Sequence, residues 1–206
     1  MSDSPLLLVG LGNPGEQYAK NRHNAGFILA DALHDHYRFK PWRVKFEGML
    51  SEGVIGTRKT YLLKPMTYMN VSGSSVGPAL RFFKIKPAAL VVAHDEMDLA
   101  AGKLKVKTGG GDAGHNGLRS ITEHVGPDYR RVRIGVGHPG GKERVTGHVL
   151  SNFSKADAEW FNPMIEAMVE AAPHLADDDD AAFMSKVALL TAPPKPKKPK
   201  PEPKEE

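Results

Sequence analysis

The sequence has no cysteine, which removes both a disulfide framework and a thiolate nucleophile. Its Gly-x-Ser-x-Gly match, Gly73 to Gly77, lies within a predicted helix and does not seat a serine at a strand-to-helix turn, and there is no His-Glu-x-x-His pair to hold zinc. No apolar run approaches the roughly 20 residues of a membrane-spanning helix. The first residues carry Asp3 where a secretion signal would be basic, so a soluble, cytoplasmic protein is expected. What remains is a chain of 206 residues with 40% hydrophobic content, enough to bury one substantial core.

The formal net charge of +4 is unevenly spread. Residues 103–144 hold nine Lys or Arg against four Asp or Glu, while the acidic run Asp177 to Asp180 sits far away in sequence. The excess adjoins glycine-rich loops and strand ends, which favours an anionic partner such as nucleic acid over a merely solvated face. The end, "APPKPKKPKPEPKEE", has almost no apolar side chains and is expected to be a disordered tail over 192–206, beyond a single domain at 1–191.

Residues 6–15, "LLLVGLGNPG", contain Gly10-x-Gly12-x-x-Gly15, the spacing of a dinucleotide fingerprint. That motif requires a helix opening at the glycines and an acid about 20 residues on, after a second strand. Here "EQYAKNRHN" is polar and has no helical stripe. The stripe of Phe27, Ala30, Leu33 and Tyr37 begins later, behind Asn24 as a candidate N-cap, and Asp31 and Asp35 fall inside that helix. The glycines therefore serve something other than a pyrophosphate, and no cofactor is expected.

Apolar runs at 6–10, 60–64, 90–94 and 131–136 predict strands, and stripes at 25–38, 72–84 (Ser72 as N-cap) and 116–125 predict helices between them. The alternation argues for an α/β three-layer sandwich with a twisted, largely parallel central sheet. The segments "KLKVK" at 103–107 and part of 44–55 alternate like antiparallel strands, making the sheet mixed. Ser154 with Asp157 suggests a capping box before a helix carrying Met164, Ile165, Met168, Val169 and Ala172. A short helix at about 181–190 closes the core.

Ligands of open α/β sheets bind beyond the carboxyl ends of the strands. Asn13, His23, Asn70, Asp95, His115 and Asn116 all fall in the segments that follow strands or precede helices. Each has a structural use: asparagines form turns and caps, and Asp95 could satisfy its own loop. Together they suit acyl hydrolysis by water, with His23 as general base and Asp95 fixing its tautomer. Asn13, Asn70 and Asn116 could grip a peptide or an oxyanion. A metal is the competing use of His23, His94, Asp95, Asp98 and His115, but no recognised ligand spacing supports it.

The blocks "VGLGNPG", "RHNAG", "KPMTYMNVSG", "HDEMDLAAGKLKVKTGGGDAGHNGLRS" and "RIGVGHPGG", in this order over about residues 6–140, resemble the bacterial peptidyl-tRNA hydrolase family. The resemblance implies a monomeric, metal-independent α/β hydrolase that cleaves the ester between a peptide and the 3′ end of tRNA. It implies His23 as catalytic base with Asp95 as its partner, and Asn13, Asn70 and Asn116 as substrate- and water-positioning residues. Tyr18 and Met69 would help line the cleft, and Lys107 and Arg133 would contact tRNA phosphates; Lys103 joins them on charge alone. A non-catalytic, RNA-binding relative of the same fold is the alternative.

Overall fold

The computed structural model describes residues 4–193, so all but the start of the expected tail lies outside the described residues. Its centre is a seven-stranded mixed sheet in the order β2-β3-β4-β1-β5-β7-β6. The strands are β1 Leu6–Gly10, β2 Arg43–Lys45, β3 Gly48–Ile55, β4 Arg58–Pro65, β5 Leu90–Glu96, β6 Leu104–Thr108 and β7 Arg130–Gly135. The inner pairs β4–β1, β1–β5 and β5–β7 are parallel, while β2–β3, β3–β4 and β6–β7 are antiparallel. The helices are α1 Ala25–His36, α2 Ser72–Phe83, α3 Asn116–Val125, α4 Val145–Val149, α5 Lys155–Ala176 and α6 Asp180–Leu190. None among the described residues is long and apolar enough to cross a membrane.

A central parallel strand covered on both faces must be apolar throughout, and β1 is buried at every position. Alternation divides its side chains between two cores. Leu6 and Leu8 join the core beneath α1, α5 and α6, whereas Leu7 and Val9 join the one beneath α2 and α3. The glycine run now has a packing explanation. A Cβ on Gly10 would lie 2.2 Å from the Gly26 carbonyl oxygen, and one on Gly12 would lie 2.6 Å from the Phe27 ring. Gly15 adopts φ 112°, which L side chains rarely tolerate. These residues let the start of α1 lie against the end of β1 and turn the chain at Asn13.

Two expected caps are corrected. Ser72 is the first residue of α2 rather than its N-cap, and its hydroxyl donates back to the Met69 carbonyl. Asn24 sits at the cap position of α1 but makes no side-chain capping bond. The capping box of Ser154 and Asp157 forms as expected.

The acidic run has a structural use that sequence distance concealed. Asp178 follows α5 in the left-handed region (φ 63°) and pairs with both Arg58 (2.8 Å) and Arg130 (2.7 Å). Arg130 also pairs with Asp180 and donates to the Leu175 carbonyl, while Arg58 donates to the Ala176 carbonyl. Two buried guanidinium groups thus cap the end of α5 and tie it to the sheet. Asp178→Ala removes the shared carboxylate and should cost about 1–3 kcal/mol in urea unfolding. An unchanged midpoint would show that the remaining acceptors suffice.

Candidate active site

The chain leaves β1 through Leu11 and Gly12 to Asn13, whose side-chain Oδ1 accepts from the Met69 N–H at 2.9 Å. Asn24 explains its missing cap. Its amide spans the backbone of Asn13, with Oδ1 accepting from the Asn13 N–H and Nδ2 donating to the Asn13 carbonyl, both at 3.0 Å. Asn24 is buried, so this double bond locks the turn bearing Asn13 to the turn bearing His23. Sequence reasoning took Asn24 for a cap because asparagine before a helical stripe is a common capping pattern.

His23 lies in a one-turn 3₁₀ helix, Arg22–Asn24, just before α1. Its Nδ1 lies 2.8 and 3.0 Å from the two carboxylate oxygens of Asp95, the penultimate residue of β5. A carboxylate only accepts, so Nδ1 carries the proton and Nε2 keeps its lone pair. Asp95 is almost wholly buried and takes a second hydrogen bond from His115 Nε2 at 3.1 Å. His115 is oriented from behind: its Nδ1 accepts from the N–H groups of Gly117 and Leu118 and so caps α3. That leaves Asn116, at the first position of α3, free of capping duty.

Burial by itself would push the Asp95 carboxyl up. The imidazoles of His23 and His115 outweigh it and hold the carboxyl far below the usual range. Of the five residues weighed as metal ligands, only His23, Asp95 and His115 converge. Their facing atoms are already joined by hydrogen bonds, and His115 Nε2 bears the proton it gives to Asp95. The group is built as a hydrogen-bonded relay of side chains, not as a set of open lone pairs.

A cavity of about 530 Å³ opens over this pair. Asn13, His23, Met69, Asn70, Asp95 and Asn116 line it, together with Val145, Thr146, Val149 and Leu150 from α4 and its end. Arg119 and Tyr68 also line it, and sequence reasoning named neither. Tyr18 is half-buried in the 3₁₀ turn Glu16–Tyr18 and is not part of the wall.

The basic residues divide differently than charge alone suggested. Lys105 faces Arg133 and Lys107 faces Arg131 across the β6–β7 ladder, so all four share one sheet face. Arg133 pairs with Glu96 at 2.8 Å and Arg131 lies 3.5 Å from Asp112. Among the described residues, Lys105 and Lys107 have no ion pair. Lys103 precedes β6 and borders a separate groove with Trp160 and Met184. Alternation along "KLKVK" was the signal that could have put Lys105 beside Lys107.

A β-sheet whose strand ends carry a buried Asp–His pair beneath an amide-lined cavity belongs to the α/β hydrolytic enzymes. Residues 7–198 match the family model described as peptidyl-tRNA hydrolase. The chain is 57% identical over 189 residues to a peptidyl-tRNA hydrolase of Dinoroseobacter shibae, covering 92% of this chain and 80% of that one. It is likewise 57% identical to that of Parvibaculum lavamentivorans over 196 residues, covering 95% and 96%. The crystal structure of peptidyl-tRNA hydrolase from Acinetobacter baumannii superposes with a TM-score of 0.85 at 42% identity, covering 91% of this chain and 96% of that one. The chain belongs to the peptidyl-tRNA hydrolase family.

The residue next to Asp95 sets a pH limit on the fold. His94 donates from Nδ1 to the Asp95 carbonyl (2.7 Å), and its Nε2 is buried without a partner. Burial and the neighbouring His115 push its pKa from 6.5 down to about 3. Between those values the unfolded chain binds a proton that the folded chain refuses, so stability falls as pH falls from about 6.5 to about 3. Asp95 acts in the same direction below its unfolded value of 3.8, where only the unfolded chain takes up the proton. His94→Gln should flatten the slope of unfolding free energy over pH 6.5–4.5 by about 1.4 kcal/mol per pH unit. An unaltered slope would assign the acid sensitivity to other groups.

Proposed function

We propose that this chain hydrolyses the ester joining a peptide to the 3′ end of tRNA, acting as a monomer in the cytoplasm and without a metal. The observation that carries the mechanism is the His23–Asp95 pair, its Nδ1 held by the carboxylate, in the lining of the cavity. His23 takes a proton from water as the water attacks the ester carbonyl, and Asp95, kept anionic by its two imidazoles, stabilises the imidazolium. The tetrahedral oxyanion then needs donors. Asn13 has its Oδ1 committed to Met69, which leaves its Nδ2 to donate, and Asn70 and Asn116 stand in the same wall. Collapse expels the ribose oxygen, which takes the proton from the His23 imidazolium, and frees peptide and tRNA.

The test is release of N-acetyl-amino acid from N-acetyl-aminoacyl-tRNA, with and without chelator. His23→Ala should lose about 10²-fold or more in kcat while still binding tRNA, and chelator should change nothing. Near-normal turnover of that variant would take His23 out of the mechanism, and loss with chelator would restore a metal to it. Retained tRNA binding by a wild-type protein without any hydrolysis would favour the non-catalytic alternative.

The phosphate-binding face is proposed to be Lys105 and Lys107, backed by Arg131 and Arg133. Like charges stacked across a ladder repel, and two acids for four cations leave room for phosphate. Lys105→Ala and Lys107→Ala should each reduce the slope of log affinity for tRNA against log salt by about 1. Lys103→Ala should leave the slope unchanged. The opposite ranking would move the contact to the groove beside Trp160.

A further inference from the structure

The turn that carries His23 is also held from outside the cavity, by contacts the chemistry does not use. The Arg22 backbone N–H donates to the Ser151 carbonyl at 3.0 Å, and the Phe153 N–H donates to the Lys20 carbonyl at 3.0 Å. Asn21 bridges to Asn152 in antiparallel fashion, and their side-chain amides meet at 2.7 Å. Residues 20–22 and 151–153 therefore pair like two short strands. The Arg22 guanidinium closes the unit. It donates to Ser151 Oγ at 2.6 Å, to the Asn152 carbonyl at 3.0 Å and to Asp157 Oδ2 at 2.6 Å.

Asp157 is itself fixed. The same oxygen accepts from the backbone and hydroxyl of Ser154 in the capping box of α5. Arg22 is only 12% exposed at its side chain, so its charge is largely withdrawn from water, and both terminal nitrogens of its fork are bonded. A surface pair between exposed side chains would contribute little. This arginine instead spans three acceptors on a segment more than 120 residues away in sequence.

Both ends of this unit lead into the lining of the cavity. His23 follows Arg22 directly, and Leu150, which lines the same cavity with Val149 and Thr146, directly precedes Ser151. We propose that Arg22 is a positioning residue: it couples the α4 part of the cavity lining to the turn that carries His23, and so sets the aim of the imidazole. This rests on His23 being the base. Lysine cannot replace it, because an ammonium on a flexible stem does not hold a planar fork.

The experiment measures kcat and KM on N-acetyl-aminoacyl-tRNA for Arg22→Ala, Arg22→Lys, Asp157→Asn and Ser151→Ala, with His23→Ala and Asp178→Ala beside them. All are assayed well below their melting temperatures. Arg22→Ala should lose about 10- to 100-fold in kcat with KM changed less than about threefold, the size expected of misplacing a reacting group by around an ångström. Arg22→Lys should recover little of the loss, and Asp157→Asn and Ser151→Ala should lose less than Arg22→Ala. The His23 ring resonances should shift and broaden in Arg22→Ala. Asp178→Ala, at the far end of α5, should lower the melting temperature while kcat stays at the wild-type value.

Wild-type kcat in Arg22→Ala, or a proportional loss in Asp178→Ala, would reduce Arg22 to a stabilising latch. If Arg22→Ala does not fold, Asp157→Asn and Ser151→Ala decide the matter by the same split, and wild-type kcat in both overturns the proposal. An active His23→Ala enzyme would instead overturn the assignment of the base on which it stands.

Discussion

The buried carboxylate of Asp95 is the constraint around which the rest of the site is arranged. An anion withdrawn from water is tolerated only where hydrogen bonds replace its hydration. Here two imidazole N–H groups supply them, from His23 and from His115. Each must then be fixed by something else, because a mobile partner would leave the charge unpaired. His115 is fixed by capping α3, and His23 by the turn between Arg22 and Asn24. The demand for a satisfied anion thus propagates outward into a helix start and a loop. The result is one tautomer of His23, its Nδ1 proton held on Asp95, in the lining of the cavity.

That arrangement requires three chain segments to meet at one point, and the backbone makes it possible. The start of α1 approaches the end of β1 closely enough that a Cβ at Gly10 or Gly26 would collide with main-chain atoms. The Phe27 N–H then bonds the Leu11 carbonyl, and Leu11 N–H bonds the Ala93 carbonyl on β5, two residues before Asp95. Glycine here removes bulk; at Gly15 it supplies a conformation. The same spacing in a dinucleotide site serves a phosphate, so spacing alone does not discriminate. The surrounding polarity and the position of the first helical stripe do.

What could be read from residues alone followed the range of the interaction involved. Strands β1, β4, β5 and β7 and helices α1, α2 and α3 were legible because periodic burial is a local signal. The convergence of Asn13, His23, Asn70, Asp95 and Asn116 was legible because strand ends in such sheets share one side. The failures are specific side-chain pairings, near or far in sequence, which leave no periodic trace. Asn24 read as a cap, yet its amide is used by Asn13; Ser72 read as a cap, yet its hydroxyl serves Met69. His115 was placed near the site but not on Asp95. The acidic run read as a remote charge block, although Asp178 and Asp180 neutralise Arg58 and Arg130.

Those pairings also change what the basic segment means. Counting Lys and Arg over 103–144 treats all of them as available to a polyanion, but Arg130 is committed to the end of α5 and Arg133 to Glu96. Most of the arginines hold the protein together, and Lys105 and Lys107 at the sheet edge keep their charge uncommitted among the described residues. Exposed lysine on an edge strand also discourages pairing with another chain. His94 donates to the Asp95 carbonyl, has its other nitrogen buried without a partner among the described residues, and borders the small cavity that Lys107, Arg131 and Arg133 line. The cationic face and the hydrolytic pair are therefore separated by one buried residue of β5. A tRNA held on that face would have its end brought to the strand tips by the same sheet that carries Asp95.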